Sequence, residues 1–181
     1  MGFAKALLVV DGDQLARRAA RRLGAVCEPV LEVGDGHSGL PHLRETPPGS
    51  GPLAALAAAG RTLRDGGHHG AAVLLGVDLP LVDEALLCWL RDRPGEPTAV
   101  PAVDGRLQPV CARYGPDALV AAESLVTGGL RALHALFDVV EHDVITESEW
   151  QQVTTADSFT DVDTPADAAR LGITLPDSVK W

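Results

Sequence analysis

The sequence predicts a single three-layer α/β domain with a mostly parallel sheet, and three observations carry that expectation. Residues 71–80, AAVLLGVDLP, are a short, nearly continuous apolar run closed by Gly76, a lone carboxylate at Asp78 and Pro80; such a run suits a strand covered by helices on both faces. Segments with strand character alternate with segments of helical spacing along the chain, without internal repeat, low-complexity tract or second core. The length, 181 residues, suits one ordinary domain, and with aromatics at only 4% the core is expected to be aliphatic.

Composition narrows the function classes. A net charge of −10 argues against a nucleic-acid or membrane surface, both of which need basic patches. Cys27, Cys88 and Cys111 are an odd, widely spaced set that fits neither a disulfide framework nor a zinc knuckle. No run approaches transmembrane length and no signal peptide opens the chain, so the expectation is a cytoplasmic protein, a monomer or weak oligomer.

The elements follow in order. Lys5 precedes an apolar ALLVV, and Asp11-Gly12 is a turn signal. Residues 13–23 read as a helix, with Asp13 as cap and Leu15, Ala19 and Leu23 on one face. Arg17, Arg18, Arg21 and Arg22 are expected to form its solvated face. Residues 29–33, PVLEV, are a candidate strand ending in Gly34. The prolines and glycines of 45–53, ETPPGSGPL, exclude helix and central strand; a helix over 54–63 follows, with Pro52 near its first turn. A Gly-rich loop there leaves amides free to meet a nucleotide, although a plain connection reads equally well. His68 and His69 are adjacent and diverge, which disfavours a metal site.

After the residue 71–80 run, 83–91 has helical spacing with Asp83 as cap. Residues 99–103 and 107–114 are expected strands joined by Asp104-Gly105, a hairpin signal. Helices are expected over 116–126 and 130–136, a strand over 139–142, and an extended piece over 159–162. A last helix over 164–171 has Pro165 at its first position and Asp167 in its first turn.

Chemistry concentrates in two acidic segments. In open α/β sheets ligands bind beyond the carboxyl ends of strands, and Asp78 stands at such an end, where a solvated turn Asp is the alternative. In Asp161-Val162-Asp163 the carboxylates sit at i and i+2, so an extended backbone points both to one side. Hard divalent cations such as Mg²⁺ take one or two carboxylates and leave the remaining positions to water and phosphate. Asp78 with Asp161 or Asp163 would supply that, with Lys5 to balance phosphate charge. No Ser-His-Asp spacing, P-loop or GxGxxG is present, so hydrolase, kinase and dehydrogenase readings lack their motifs.

These residues resemble a known family, the MobA-like molybdenum cofactor guanylyltransferases. Met1-Gly2-Phe3-Ala4-Lys5-Ala6-Leu7-Leu8 resembles the end of its R-M-G-x-D-K-A-L signature. Gly51-Pro52-Leu53-Ala54-Ala55 resembles G-P-L-A-G, and Val77-Asp78-Leu79-Pro80 resembles C-D-L-P. Gln108 to Tyr114 resembles Q-P-L-x-A-x-Y, and Asp161 to Asp167 resembles N-x-N-T-P-x-D in an acidic form. The matches fall in the family's order across nearly the whole chain.

The resemblance implies a Rossmann-like nucleotidyltransferase fold and transfer of GMP from GTP to the phosphate of molybdopterin, with release of pyrophosphate. It places Lys5 on the phosphates and Asp78 on Mg²⁺, with Asp163 completing the metal site and Asp161 facing the second substrate. Gly51, Pro52 and Leu53 would border the guanosine, Glu45 would contact the nucleotide, and Gln108 and Pro109 would shape the pterin side. Gly34 stands where the family often has a base-contacting Asn. The family's opening strand and L-A-G-G-x-S-x-R loop lie ahead of the segment matched by Met1, so the first strand is expected to be missing, leaving backbone groups of its neighbours without partners. Rival readings are a CTP-dependent enzyme on the same pterin, a GTP-dependent enzyme on a small phosphorylated acid, and a non-catalytic remnant that binds nucleotide or a partner.

Overall fold

A computed structural model describes residues 5–95 and 97–174. A 3₁₀ turn at Lys5–Leu7 leads into a hairpin, β1 (Val9–Val10) and β2 (Asp13–Gln14), followed by α1 (Leu15–Gly24). A small parallel pair comes next, β3 (Glu32–Val33) and β4 (His42–Leu43), then α2 (Pro52–Asp65), β5 (Ala72–Leu75) and α3 (Glu84–Arg91). Then come β6 (Thr98–Val103), β7 (Arg106–Leu107), β8 (Cys111–Tyr114) and α4 (Pro116–Thr127). A 3₁₀ turn at Leu133–Leu136, β9 (His142–Ile145), α5 (Glu147–Trp150), a 3₁₀ turn at Ala156–Phe159 and α6 (Pro165–Arg170) complete the described residues.

Local chemistry explains most of these boundaries. Two of the four Asp-Gly pairs make tight hairpins with positive φ at each residue, 51° and 80° at Asp11-Gly12, 48° and 71° at Asp104-Gly105. Proline occupies the first turn of α2, α4 and α6, where its missing amide costs nothing. The Asp83 carboxylate accepts from the Leu86 amide at 2.8 Å and caps α3 as expected.

The main sheet runs β5–β8–β6, with β9 and β7 also paired to β6. β5, β6 and β9 share one direction, but β8 enters antiparallel between β5 and β6 and β7 runs antiparallel to β6, so the sheet of this α/β fold is mixed where the sequence predicts a mostly parallel one. Among the described residues β6 with β9 is therefore the one parallel pairing of this sheet. The hairpin turn sends the chain back along β6, and the expected single strand over 107–114 breaks around Pro109, which has no amide for a ladder. Beyond it the chain shifts across to β5.

Alternation along the strands divides the core in two. Val73, Leu75, Ala99 and Cys111 pack on one face with Leu86, Leu87 and Leu90 of α3 and with Trp150. Ala72, Leu74, Val100, Ala112 and Tyr114 pack on the other, with α2, α4 and the Leu133–Leu136 turn. Successive side chains point to opposite faces, so the helices make two outer layers. The strand 72–75 is thus covered on both faces, but among the described residues its backbone pairs only with β8. Its other edge borders a largely apolar cleft of about 580 Å³ lined by α1, α2 and residues 26–33.

A third cluster joins the two ends of the described chain. Leu8, Val10 and Leu15 pack against Val162, Ala168 and Ile173, and Val9 and Thr174 exchange backbone hydrogen bonds of 2.9 and 2.8 Å. Three local expectations change here. Asp13 does not cap α1; it lies in β2 and takes the Arg21 guanidinium at 2.5 Å, leaving Gln14 at the cap position. The four arginines of α1 do not share one solvated face: Arg17 and Arg21 are exposed, whereas Arg18 and Arg22 turn toward the segment after Asp78. The strand expected over 139–142 begins instead at His142, because the preceding turn closes with Val139 and Val140 amides on the Leu136 carbonyl.

Candidate active site

β5 delivers Gly76 and then Asp78 at its carboxyl end. The Gly76 amide donates to the Val110 carbonyl at 2.6 Å, and the Leu79 amide returns to the Gly76 carbonyl at 3.3 Å, a tight turn that projects Asp78 outward. A Cβ at Gly76 would lie 2.6 Å from Asp78 Oδ1 and 3.1 Å from the Val110 Cβ, so only glycine lets the carboxylate fold over the chain here. Arg18 Nε donates to the Pro80 carbonyl at 3.0 Å; Arg22 donates to the same carbonyl at 2.9 Å and to that of Val82. The two arginines, one helical turn apart on α1, pin the irregular segment that follows Asp78. Their i, i+4 spacing was visible in the sequence; the carbonyls they serve were not.

The second acidic segment is laid against the first by the Val162 amide, which donates to the Asp78 carbonyl at 3.0 Å. Val162 is buried in the third cluster, and alternation leaves Asp161 and Asp163 exposed on the outer side. α6 begins directly after, with a capping box: Thr164 Oγ1 accepts from the Asp167 amide at 3.2 Å, and Asp167 Oδ2 accepts from the Thr164 amide at 3.0 Å. The Thr164 hydroxyl also donates to Asp167 Oδ2 at 2.8 Å, and this bond, together with that from the Thr164 amide, holds the Asp167 carboxyl below its ordinary value.

Lys5 closes the arrangement. Its neighbour Leu8 is buried in the third cluster, and the Leu8 amide donates to the Lys5 carbonyl at 3.0 Å. The Lys5 ammonium donates to Asp78 Oδ2 at 3.4 Å and to Asp163 Oδ1. Partial burial acts to lower its pKa, but the bond to Asp163 and the charges of Asp78 and Asp163 outweigh that and leave it raised. Asp161 is shifted upward, first by burial and then by the charges of Asp163 and Asp78. Asp161 thus shares the field of the other two carboxylates. Lys5, Asp78, Asp161 and Asp163 form one acidic site with a single ammonium at its centre.

The remaining candidate residues lie in other settings. Gly34 extends the β3–β4 pairing, its amide donating to the Leu43 carbonyl at 2.9 Å. Beside it, the Glu32 carboxylate gathers the amides of Gly36, His37 and Ser38 and the Ser38 hydroxyl. Burial pushes that carboxyl up, but these bonds more than compensate and hold it below its ordinary value. Glu45 closes its own loop, accepting from the Gly49 amide at 2.7 Å. Gly51 caps α2 at φ 93°, and a Cβ there would meet the Arg131 carbonyl at 3.1 Å. Pro52 lines the cleft along β5. Leu53 is fully buried in the core and its amide is taken by the Arg131 carbonyl at 3.2 Å, so this helix start offers fewer free amides than its composition suggests. Gln108 is half-buried at the break between β7 and β8, its side chain donating to the Arg106 carbonyl at 3.3 Å, and the Pro109 carbonyl accepts from the Tyr114 hydroxyl at 2.7 Å. The structure brings Lys5, Asp78, Asp161 and Asp163 together; Glu45 and Gln108 make no hydrogen bond with them.

Among the described residues no three His, Cys, Asp or Glu side chains are spaced to hold a metal on their own. Asp78 and Asp163 are a two-carboxylate pair, the number Mg²⁺ uses when water and phosphate complete its shell.

Residues 1–145 match the family model of the MobA-like NTP transferase domain. The chain belongs to that family. The matched span of this MobA-like nucleotidyltransferase includes Lys5 and Asp78 and ends before the Asp161–Asp163 segment. Its fold is that of molybdopterin-guanine dinucleotide biosynthesis protein A from Archaeoglobus fulgidus, with a TM-score of 0.75 at 20% identity over 94% of this chain and 89% of that one. A nucleotidyl transferase from Methanothermobacter superposes with a TM-score of 0.69 at 15% identity, covering 92% of this chain and 82% of that one. A protein from Aquifex aeolicus gives 0.67 at 17% identity, covering 83% and 79%. No curated protein sequence matches the chain. Among the described residues no helix is long and apolar enough to cross a membrane.

Proposed function

We propose that this MobA-like nucleotidyltransferase transfers GMP from GTP to the terminal phosphate of molybdopterin and releases pyrophosphate. The observation that carries the reading is the Lys5 ammonium shared by Asp78 and Asp163, carboxylates from two distant segments meeting at the carboxyl end of β5. Family membership and the fold shared with the Archaeoglobus protein support nucleotidyl transfer. The resemblance of the segment from Gln108 to Tyr114 to the family's Q-P-L-x-A-x-Y supports the guanylyl and pterin assignment.

An ammonium already lodged between Asp78 and Asp163 supports this pair as the seat of a divalent cation, and two hard carboxylate oxygens suit Mg²⁺. When bound, Mg²⁺ would neutralise charge on the phosphates during displacement at the α-phosphorus. The chain's own groups do the rest. Lys5, kept cationic by its carboxylate neighbours, binds phosphate oxygens and stabilises the charge that builds on them. Asp78 is held in place by the Gly76 turn and by the Arg18 and Arg22 clamp behind it. Asp161 stands beside Asp163 facing the second substrate, and Gln108 and Pro109 shape the pterin side. No covalent enzyme intermediate is required, because holding the attacking phosphate in line is the larger part of the work.

Asp78→Asn tests the reading. It preserves shape, so the fold should persist by circular dichroism, while pyrophosphate release from GTP with molybdopterin should fall at least about 100-fold. Undiminished release would refute the role of Asp78. Comparing GTP with CTP as donor checks the base: faster release from CTP would overturn the guanylyl assignment and leave nucleotidyl transfer standing.

A further inference from the structure

We infer that Lys5 is the resident cation of the Asp78–Asp163 pair in the nucleotide-free protein, and that a divalent metal takes the pair only once a triphosphate has drawn the lysine away. The inference rests on the reading that Asp78 and Asp163 hold the metal, and it adds an order to that site: nucleotide first, or nucleotide and metal together, with metal alone held at a disadvantage by the lysine. Lys5 Nζ is in contact with Asp78 Oδ2 and Asp163 Oδ1 at once. Those two carboxylates are the residues that would hold the metal. Two cations on the same pair of oxygens repel at close range, so the ammonium and the metal exclude one another.

The chain is built so that the lysine can leave. Its backbone is anchored through Leu8 and the Val9–Thr174 bridge, while its charge sits at the end of a flexible four-carbon stem. Its side chain retains 24% exposure, which leaves it open toward solvent and an arriving phosphate. A triphosphate gives the ammonium new acceptors and gives the vacated carboxylates a metal carried on the same phosphates. Because such coupling is reciprocal, whatever the lysine costs the metal in the absence of nucleotide is returned when nucleotide binds. An acidic protein thereby avoids loading its site with free divalent cations before substrate arrives.

Mn²⁺ binding to the nucleotide-free chain, read from the electron paramagnetic resonance of free Mn²⁺, tests this without reference to turnover. Lys5→Met keeps the apolar stem and removes the charge, and should bind Mn²⁺ about tenfold or more tightly than the unmodified chain, within the usual range of coupling between two ligands. Lys5→Arg retains a competing cation and should show no such gain. With the α,β-methylene analogue of GTP present, the advantage of Lys5→Met should shrink or reverse. A Lys5→Met chain that folds normally and binds nucleotide-free Mn²⁺ no better than the unmodified chain overturns the inference. Asp78→Asn in the Lys5→Met background separates the two levels. If it abolishes Mn²⁺ binding, the metal pair stands. If Mn²⁺ binding persists undiminished, the metal reading itself fails and this inference falls with it.

Discussion

Gly76→Ala is the most discriminating single change at this site, because it loads one methyl group between the sheet and the acidic cluster. The new Cβ would lie 2.6 Å from Asp78 Oδ1, so the carboxylate must retreat by roughly 0.8 Å or more to regain ordinary contact. It would also stand 3.1 Å from the Val110 Cβ, a tight but yielding contact. The backbone at Gly76 does not need a positive φ, so alanine gains about 0.4–1 kcal/mol by restricting the unfolded chain. Crowding at Val110 costs at least about 1 kcal/mol. These nearly cancel, and the expected change in thermal midpoint is smaller than the roughly 2–4 °C that a full ~1 kcal/mol would give a chain of this size. Catalysis has no such compensation. Displacing a positioned group by an ångström costs about 100-fold in rate, and moving the Asp78 carboxylate also disturbs its contact with Lys5. Thermal unfolding, Mn²⁺ titration and pyrophosphate release measured on one preparation would show a small stability change beside a large loss of metal binding and turnover. Full activity with normal metal affinity would refute the claim that Gly76 sets the position of Asp78.

Two further substitutions test the surroundings. Thr164→Ala removes the capping hydroxyl of α6 and should cost about 1 kcal/mol in urea unfolding, with weaker Mn²⁺ binding because Asp163 immediately precedes the cap; unchanged stability would show that the third cluster alone holds this segment. Glu32→Gln should lose the charge-assisted part of its bonds to 36–38, about 1 kcal/mol or more at neutral pH, the difference between bonds to a charged and to a neutral acceptor. Since the folded protein depresses the Glu32 carboxyl, that stability is present above the ordinary glutamate value of about 4.3 and is lost as pH falls through the lowered folded value. The gap between Glu32→Gln and the unmodified chain should therefore close in acid, and a gap that stays constant from pH 7 to pH 3 would show the carboxylate charge to be irrelevant.

Much of the secondary structure was legible because it is enforced within a few residues. Asp104-Gly105 permits one kind of tight turn, Pro52, Pro116 and Pro165 suit only a first helical turn, and Asp83 offers an acceptor where α3 has an orphan amide. The position of Asp78 after an apolar strand, and the shared side of Asp161 and Asp163, follow from the same short-range geometry. Leu53 shows the limit: its place at a Gly-Pro helix start suggested a free amide, and the Arg131 carbonyl, distant in sequence, consumes it.

What the sequence determined by itself, then, was the inventory: buried strands by apolar runs, helices by spacing and caps, a carboxylate at a strand end and another near the tail. What only the tertiary structure decided was who meets whom. β8 enters antiparallel between β5 and β6 because strand pairing is chosen among distant partners once Pro109 releases the chain from its hairpin. Arg18 and Arg22 leave solvent because the carbonyls of Pro80 and Val82, which have no ladder to join, are packed beneath α1. Lys5 reaches Asp163 across 158 positions because burying Leu8, Val162 and Ile173 together brings both ends of the described chain to the carboxyl end of β5. Hydrophobic burial is proportional to area and indifferent to sequence distance, so it gathers the charges that local rules can only place one at a time.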